Sequence, residues 1–321
     1  MGGDGPERQV SLRSGEAVAY ALADAGHAVC ALDTLKGGKP YFTRDREELK
    51  RRIIRHGECP IAFSALAPDI TESASSADVT FIALHGGIGE NGTLQAIFDA
   101  HGIKYCGSGP TACALAMDKR LTKMIYESAA IPTPPYTVFK KGDTGAVPPC
   151  YPCIVKPTNG GSSIGVCPVF SPIGLKRALS NAFSVCENVI IEKLISGREL
   201  SVSVLCDEPL AVTEIISDGF YGYENKYKKG GAREITPAPI DKELYNRAMR
   251  IAKNAHRALG MRGFSRTDIM LDEETGQLYA LETNAIPGMT ETSILPSAAA
   301  SRGISLPQLC ELMLGSAQTH P

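Results

Sequence analysis

Two short segments near the C-terminal end carry the densest chemistry in this sequence: Arg266-Thr267-Asp268 and Glu282-Thr283-Asn284. Residues i and i+2 on a β-strand share a face, so each segment projects two polar groups from one side, and a hairpin between them brings the pairs together. The oxygens of Asp268, Glu282 and Asn284 suit Mg²⁺, a hard cation that takes one or two carboxylates and completes its octahedron from water and phosphate. Arg266 beside such a site can stabilise a developing oxyanion or bind phosphate. The plainer alternative is a salt bridge on a solvent-facing strand edge. Against it, the flanking Ile269-Met270-Leu271 and Tyr279-Ala280-Leu281 read as core, where charge normally has a purpose. Downstream, Ala285–Thr290 forms a turn whose Gly288 N–H could serve as an oxyanion donor. Ser293-Ile294-Leu295-Pro296 then precedes a helix, and helix N-termini favour carboxylates.

A second chemical segment is Thr158-Asn159-Gly160-Gly161-Ser162-Ser163-Ile164-Gly165, flanked by predicted strands and preceded by Lys156. Such a strand–loop–strand flap can lay N–H groups and hydroxyls over a phosphate chain while the lysine supplies point charge. It is not a P-loop, which needs a helix after the glycines, and no Walker sequence occurs in the chain. Gly87-Ile88-Gly89-Glu90-Asn91-Gly92 matches G-x-G-x-x-G, but no acidic residue follows at the spacing a dinucleotide ribose requires. A tight turn is the bland reading there; a middle reading uses Glu90 and the helix N-terminus to position another group. Cys150-Tyr151-Pro152-Cys153 lacks the second pair that zinc needs. His85 reads either as a base or as a hydrogen-bonded structural histidine. Lysines, glycine flap, magnesium ligands and carboxylate pocket together indicate ATP-driven activation of a carboxylic acid, with acylation and phosphorylation both open.

These groups need elements to hold them. Residues 14–118 alternate helix and strand patterns: a helix capped by Ser14 and ended by Gly26, a strand His27–Asp33, a helix Arg46–Arg55, a strand Val79–Leu84 and a helix Thr93–His101. Alternation of this kind implies a parallel sheet covered by helices. Pro-rich stretches at Ile131–Tyr136 and Lys141–Pro152 mark a boundary. Beyond it, strands are predicted at Pro152–Lys156, Val166–Phe170, Val189–Lys193, Glu199–Leu205 and Leu210–Ile216, with a helix capped by Ser171 among them. A helix Asp241–Leu259 leads into the strands Thr267–Leu271 and Gln277–Glu282, an antiparallel hairpin.

The 321 residues suit two or three domains of ordinary globular composition, 43% hydrophobic and 21% charged. A net charge of -2 argues against a protein whose main partner is a nucleic-acid backbone. No apolar run is long enough for a membrane span and no signal-like segment opens the chain, so a cytoplasmic protein with buried, reduced cysteines is expected.

The sequence resembles the D-alanine–D-alanine ligases of the ATP-grasp superfamily along almost its whole length. The resembling segments are Glu7–Leu12 with Ser14-Gly15, Leu84–Thr93, Gly107-Ser108-Gly109, Ala116–Lys119, Ile154–Pro157, Gly161-Ser162-Ser163, Glu192-Lys193, Gly197-Arg198-Glu199, Lys226-Tyr227, Arg266–Asp268 and Glu282–Asn284 through Pro287–Thr290. The resemblance implies an α/β chain, α+β in its ATP-binding part, as a three-domain ATP-grasp fold: residues 1–118 with a parallel sheet, 119–197 with the flap, and 198–321 with the metal and substrate site. It implies that Lys119 and Lys156 meet ATP phosphates, that Ser163 also binds ATP, that Glu192, Lys193 and Ile195 meet the adenine, and that Glu199 meets the ribose. Asp268, Glu282 and Asn284 would carry two Mg²⁺ (or Mn²⁺) ions. Glu7 would receive the first D-alanine's ammonium and close the site with Ser162 and Tyr227. Lys226, Ser293 and Ile294 would receive the second substrate's carboxylate end, and Arg266 with the Gly288 N–H would stabilise the tetrahedral intermediate. The implied activity is D-alanyl-D-alanine synthesis through an acyl phosphate, for peptidoglycan precursors. A D-Ala–D-lactate or D-Ala–D-serine ligase is the alternative, and a homodimer is implied.

Departures from the family pattern fall in loops: Gly5, Asn159-Gly160 and Gly222 stand where serine or acidic residues are common. The segments Thr158–Gly165 and Gly219–Gly231 are expected to act as lids that keep water from the acyl phosphate. Relatives also place an apolar strand just before the Gly2-Gly3 turn, so the first domain is expected to lack its first strand.

Overall fold

The structure, a computed structural model, describes residues 1–3, 5–54, 66–143, 145, 147–161, 163–217 and 232–317. Strands β1 (Tyr136–Lys140), β2 (Cys153–Pro157), β3 (Cys167–Val169) and β4 (Asn188–Lys193) form an antiparallel sheet in the order β1-β4-β2-β3. β2 reads as a continuous apolar run up to Lys156 and is buried throughout. Helix Pro172–Phe183 packs Ala178 and Ala182 against Cys153, Val155 and Ile191 of this sheet. Ser171 occupies its N-cap position as predicted, although its side chain makes no cap hydrogen bond. The segment linking β2 to β3 is the Thr158–Gly165 flap.

A second sheet contains β5 (Gly197–Leu205), β6 (Glu208–Ser217), β7 (Ala232–Ile235), β8 (Phe264–Asp272) and β9 (Leu278–Asn284), in the order β7-β6-β5-β8-β9 and again antiparallel. Period-two alternation divides its faces. Leu200, Val202 and Val204 of β5, with Ile269 and Leu271 of β8, pack on the helix Lys242–Ala258. Ser201, opposite Asp268, therefore points to the other face, where the chemistry lies. A β-bulge follows Asp268 in the β8–β9 pairing, the kind of irregularity that re-aims side chains beside a site.

The first section departs from expectation in two ways. Its first helix is Arg8–Asp24, so Ser14 lies inside the helix and does not cap it; the N-cap is Glu7, which makes no side-chain cap bond and so leaves no capping signature to read. The expected parallel sheet is also not a ladder among the described residues. Thr80 makes one parallel bridge to Tyr105, and Val29 one antiparallel bridge to Thr43. Segments 27–32 and 79–84 both line a cavity of about 740 Å³, and among the described residues each is tied to its neighbours by isolated bridges and single backbone bonds, not by a continuous ladder. The predicted helices at 46 and 93 do form, as Arg46–Ile54 and Thr93–Ala100.

Helix Lys119–Ser128 joins this section to the sheets. Asp118 caps it, accepting from the backbone N–H groups of Arg120 and Leu121. Its buried stripe is Lys119, Thr122, Lys123 and Tyr126, so polar residues occupy the helical spacing that apolar ones usually fill. The described cysteines are all free. No helix among the described residues is long and apolar enough to cross a membrane.

Candidate active site

Two adjoining cavities lie where the sheets meet. The smaller, about 230 Å³, is lined by Glu7, Arg266, Asn284, Gly288, Ser293 and Ile294, together with His85, Glu90 and Glu234. The larger, about 640 Å³, lies between the two sheets and is lined by Lys156, Ser163, Glu192, Lys193 and Ile195. Lys119, Glu199, Asp268 and Glu282 line both. The fold therefore brings together every predicted site residue that it describes; Ser162, Lys226, Tyr227 and the expected lid 219–231 lie outside the described residues.

Hydrogen bonds fix the metal-type cluster from below. Asp268 and Glu282 stand opposite each other across β8 and β9, and Arg266 stands opposite Asn284. Asp268 accepts from Ser201 Oγ at 2.7 Å, from Arg266 Nε at 2.9 Å and Nη2 at 2.8 Å, and from Asn284 Nδ2 at 3.2 Å. Glu282 Oε2 lies 3.2 Å from Lys119 Nζ, which also donates to the Gly160 carbonyl at 2.8 Å. One lysine thus ties the base of the flap to the carboxylate pair. The described residues contain no group of three His, Cys, Asp or Glu side chains fit to hold a metal. The donor set here is two carboxylates and a side-chain amide, all on residues that line one cavity, which fits a magnesium-type cation that draws further ligands from phosphate.

The larger cavity is strongly charged at its inner wall. Glu192 is buried between Lys156, whose Nζ is 2.5 Å from Oε1, and Lys123, whose Nζ is 2.8 Å from Oε2. Burial works to raise this carboxyl, yet the two ammonium groups hold it below its ordinary value.

Two further titratable groups, His85 and Glu90, line the smaller cavity. His85 bonds Ser14 Oγ through Nε2 at 2.8 Å and the Ile286 carbonyl through Nδ1 at 3.0 Å, and burial lowers its pKa. Nδ1–H therefore donates to the carbonyl, and Nε2 accepts from the hydroxyl. Ser14 Oγ in turn accepts from the Met289 N–H at 3.3 Å. These bonds link the Gly288 turn to the first helix through His85, which also lines the smaller cavity. Glu90 Oε2 accepts from the Gly86 N–H at 2.8 Å. Burial, with Glu7 adding to it, pushes the Glu90 carboxyl up to about 8, so it carries a proton at neutral pH. The bond fixes Gly86 at φ 69°, where a side chain is disfavoured and where a Cβ would strike Glu7 Oε2. Glu90 thus holds the Gly86 backbone, beside Glu7. Ser293 Oγ accepts from the Thr290 N–H at 3.1 Å and lies 2.7 Å from Thr290 Oγ1, closing the turn below Gly288. Glu234, its carboxyl raised mainly by burial, gave no sequence signal: it is one acid on a four-residue strand.

Residues 1–108 match the family model for the D-ala D-ala ligase N-terminus, and residues 125–315 that for the D-ala D-ala ligase C-terminus. The chain belongs to the D-alanine–D-alanine ligase family. It is 40% identical to the D-alanine–D-alanine ligase of Rhodospirillum rubrum over 99% of this chain and 96% of that protein. It is 37% identical to the Geotalea uraniireducens ligase over 99% and 94%. Among solved structures, D-alanine–D-alanine ligase from Bacillus anthracis complexed with ATP aligns with TM-score 0.75 and 27% identity, covering 98% of this chain and 94% of that one. VanG D-Ala:D-Ser ligase from Enterococcus faecalis aligns with TM-score 0.79 and 29% identity, covering 98% and 97%. The two antiparallel sheets with the larger cavity between them are the ATP-grasp part of this D-alanine–D-alanine ligase family member.

Proposed function

We propose that this chain joins two D-alanine molecules into D-alanyl-D-alanine at the expense of ATP, through an acyl phosphate, as a step toward peptidoglycan precursors. The observation that carries this reading is the junction of the two cavities at Lys119, Asp268 and Glu282. A polyphosphate seated between the sheets ends there, against a pocket sized for small amino acids. Lys156, Ser163, Glu192, Lys193, Ile195 and Glu199 surround the nucleotide, with Lys119 and Lys156 as point charges for phosphate.

Glu7 receives the ammonium of the first D-alanine, which turns its carboxylate toward the γ-phosphate. A carboxylate oxygen attacks phosphorus and ADP leaves; this step needs positioning and charge neutralisation more than a protein nucleophile. Asp268, Glu282 and Asn284 would hold two Mg²⁺ (or Mn²⁺) ions, which neutralise phosphate charge. The second D-alanine, held by Ser293, Ile294 and Lys226, attacks the acyl carbon through its amine. The oxyanion then meets Arg266 and the Gly288 N–H, and the carbon–oxygen bond to phosphate breaks as the departing phosphate takes up the proton the nitrogen releases. Ser162 and Tyr227 with Glu7, and the flap and 219–231 segments, would close the site against water. The reading includes three domains at 1–118, 119–197 and 198–321, a homodimer and a cytoplasmic setting.

Purified protein given MgATP and D-alanine is expected to release ADP and phosphate and to form the dipeptide. Turnover with L-alanine alone would overturn the reading. Faster product formation with D-serine or D-lactate as the second substrate would replace it with the alternative ligase activity.

A further inference from the structure

Lys123 takes part in none of these steps, yet it is among the most deeply buried large side chains of the protein. It lines neither cavity. Its Nζ donates to Thr133 Oγ1 at 2.6 Å, stands 5.1 Å from the Tyr136 ring centre and lies 2.8 Å from Glu192 Oε2. Thr133 Oγ1 is itself spent on the Ala280 carbonyl at 2.9 Å. Lys123 is therefore enclosed on every side by protein. Lys156 shares the same carboxylate, but its ammonium faces the larger cavity.

Two lysine side chains flank one buried carboxylate, and Glu127 also acts on Lys123. A cationic side chain at the wall of a cavity favours an anion there. Only Lys156 can reach one. If it were the sole partner of Glu192, moving it to a phosphate would strand a buried carboxylate. Lys123 removes that obstacle. We propose that Lys123 is a positioning residue that serves as the fixed counter-ion of Glu192, leaving Lys156 free to transfer from Glu192 to the nucleotide phosphates. The inference rests on the nucleotide-binding reading above and names a residue that reading does not use.

The test is calorimetric binding of adenosine, ADP and MgATP to wild type, Lys123→Met, Glu192→Gln and the double variant, with thermal melts to establish folding. Lys123→Met is expected to weaken ADP and MgATP binding by about tenfold, the size of one lost charge-assisted contact, and adenosine binding by less than about threefold. In the double variant no carboxylate holds Lys156, so the ratio of ADP to adenosine affinity should return toward the wild-type value. Glu192→Gln alone should leave that ratio equal or raised, which tests the idea even if Lys123→Met does not fold. Equal losses for adenosine and ADP in Lys123→Met, no recovery in the double variant, or a lowered ratio in Glu192→Gln would each overturn the inference. Wild-type protein that neither binds MgATP nor ligates D-alanine would instead overturn the functional reading beneath it.

Discussion

Asp268 and Glu282 face each other across β8 and β9, and each is held by a cation from a different side: Asp268 by Arg266 at 2.8 Å, Glu282 by Lys119 at 3.2 Å. Paired carboxylates that draw two cations make a field suited to a metal–phosphate group. Glu282→Gln keeps the shape and removes one charge. D-alanine-dependent ADP release should fall by about 100-fold, the upper range for a disturbed metal shell. The Glu282 side chain is 26% exposed at the cavity wall, so thermal melting should change little. A normal rate in Glu282→Gln at every magnesium concentration would remove it from the ligand set.

Arg266 spans two tasks, since its fork holds Asp268 through Nε and Nη2 while its side chain lines the smaller cavity. Lysine keeps the charge but cannot make the paired contact. Arg266→Lys is expected to lower kcat by about 100-fold or more, as loss of an oxyanion-stabilising donor does, with a smaller effect on the KM for ATP. Steady-state kinetics varying each substrate separates these; a change confined to KM would assign Arg266 to ground-state binding.

The chemistry on β8 and β9 was legible because period two is rigid: once Arg266, Asp268, Glu282 and Asn284 lie on strands, their shared face follows, and the register confirms it. Lys123 was not legible. A lysine on a helix reads as a solvated residue, and only the packed structure shows Glu192 waiting beneath it. The start of the first helix, at Arg8, is hidden in the sequence for the opposite reason. Ser14 has the chemistry of a cap but spends its hydroxyl on His85, a partner far away in sequence. Segments 27–33 and 79–84 carry strand-like apolar runs, yet a strand is completed by neighbours, and among the described residues each forms only an isolated bridge, Val29 to Thr43 and Thr80 to Tyr105.

Gly86 is where the backbone makes room for Glu7. Gly86→Ala would place a methyl group against Glu7 Oε2 at a φ that alanine disfavours. The expected result is a rise of about tenfold or more in the KM for D-alanine with the KM for ATP nearly unchanged, since a misplaced binding group costs at least one good polar contact. Equal changes in both constants would point to general misfolding of the site.

Tyr126 supports β9 from behind. Its buried hydroxyl lies 2.6 Å from Thr283 Oγ1, which lies 2.8 Å from Thr267 Oγ1. In Tyr126→Phe the two threonines still satisfy each other, so the cost should be about 1 kcal/mol, seen as a fall of about 2 °C in melting temperature. A drop several times larger would mean that the hydroxyl orders β9 as a whole.

Glu90 makes stability depend on pH in the direction opposite to most carboxylates. Its pKa is raised from 4.5 to about 8 in the folded protein, first by burial and then by Glu7. Between these values the folded state keeps a proton that the unfolded chain has released, so stability must fall as pH rises. The contribution is complete below about 4.5 and is lost as pH rises through about 8. Glu90→Gln cannot ionise and retains an acceptor for the Gly86 N–H. The difference in melting temperature, Glu90→Gln minus wild type, is therefore expected to grow steadily from about pH 5 to about pH 9. Melts at matched ionic strength give that difference directly. A flat difference would mean that Glu90 is ionised in the folded protein and that the Gly86 backbone is held by a carboxylate.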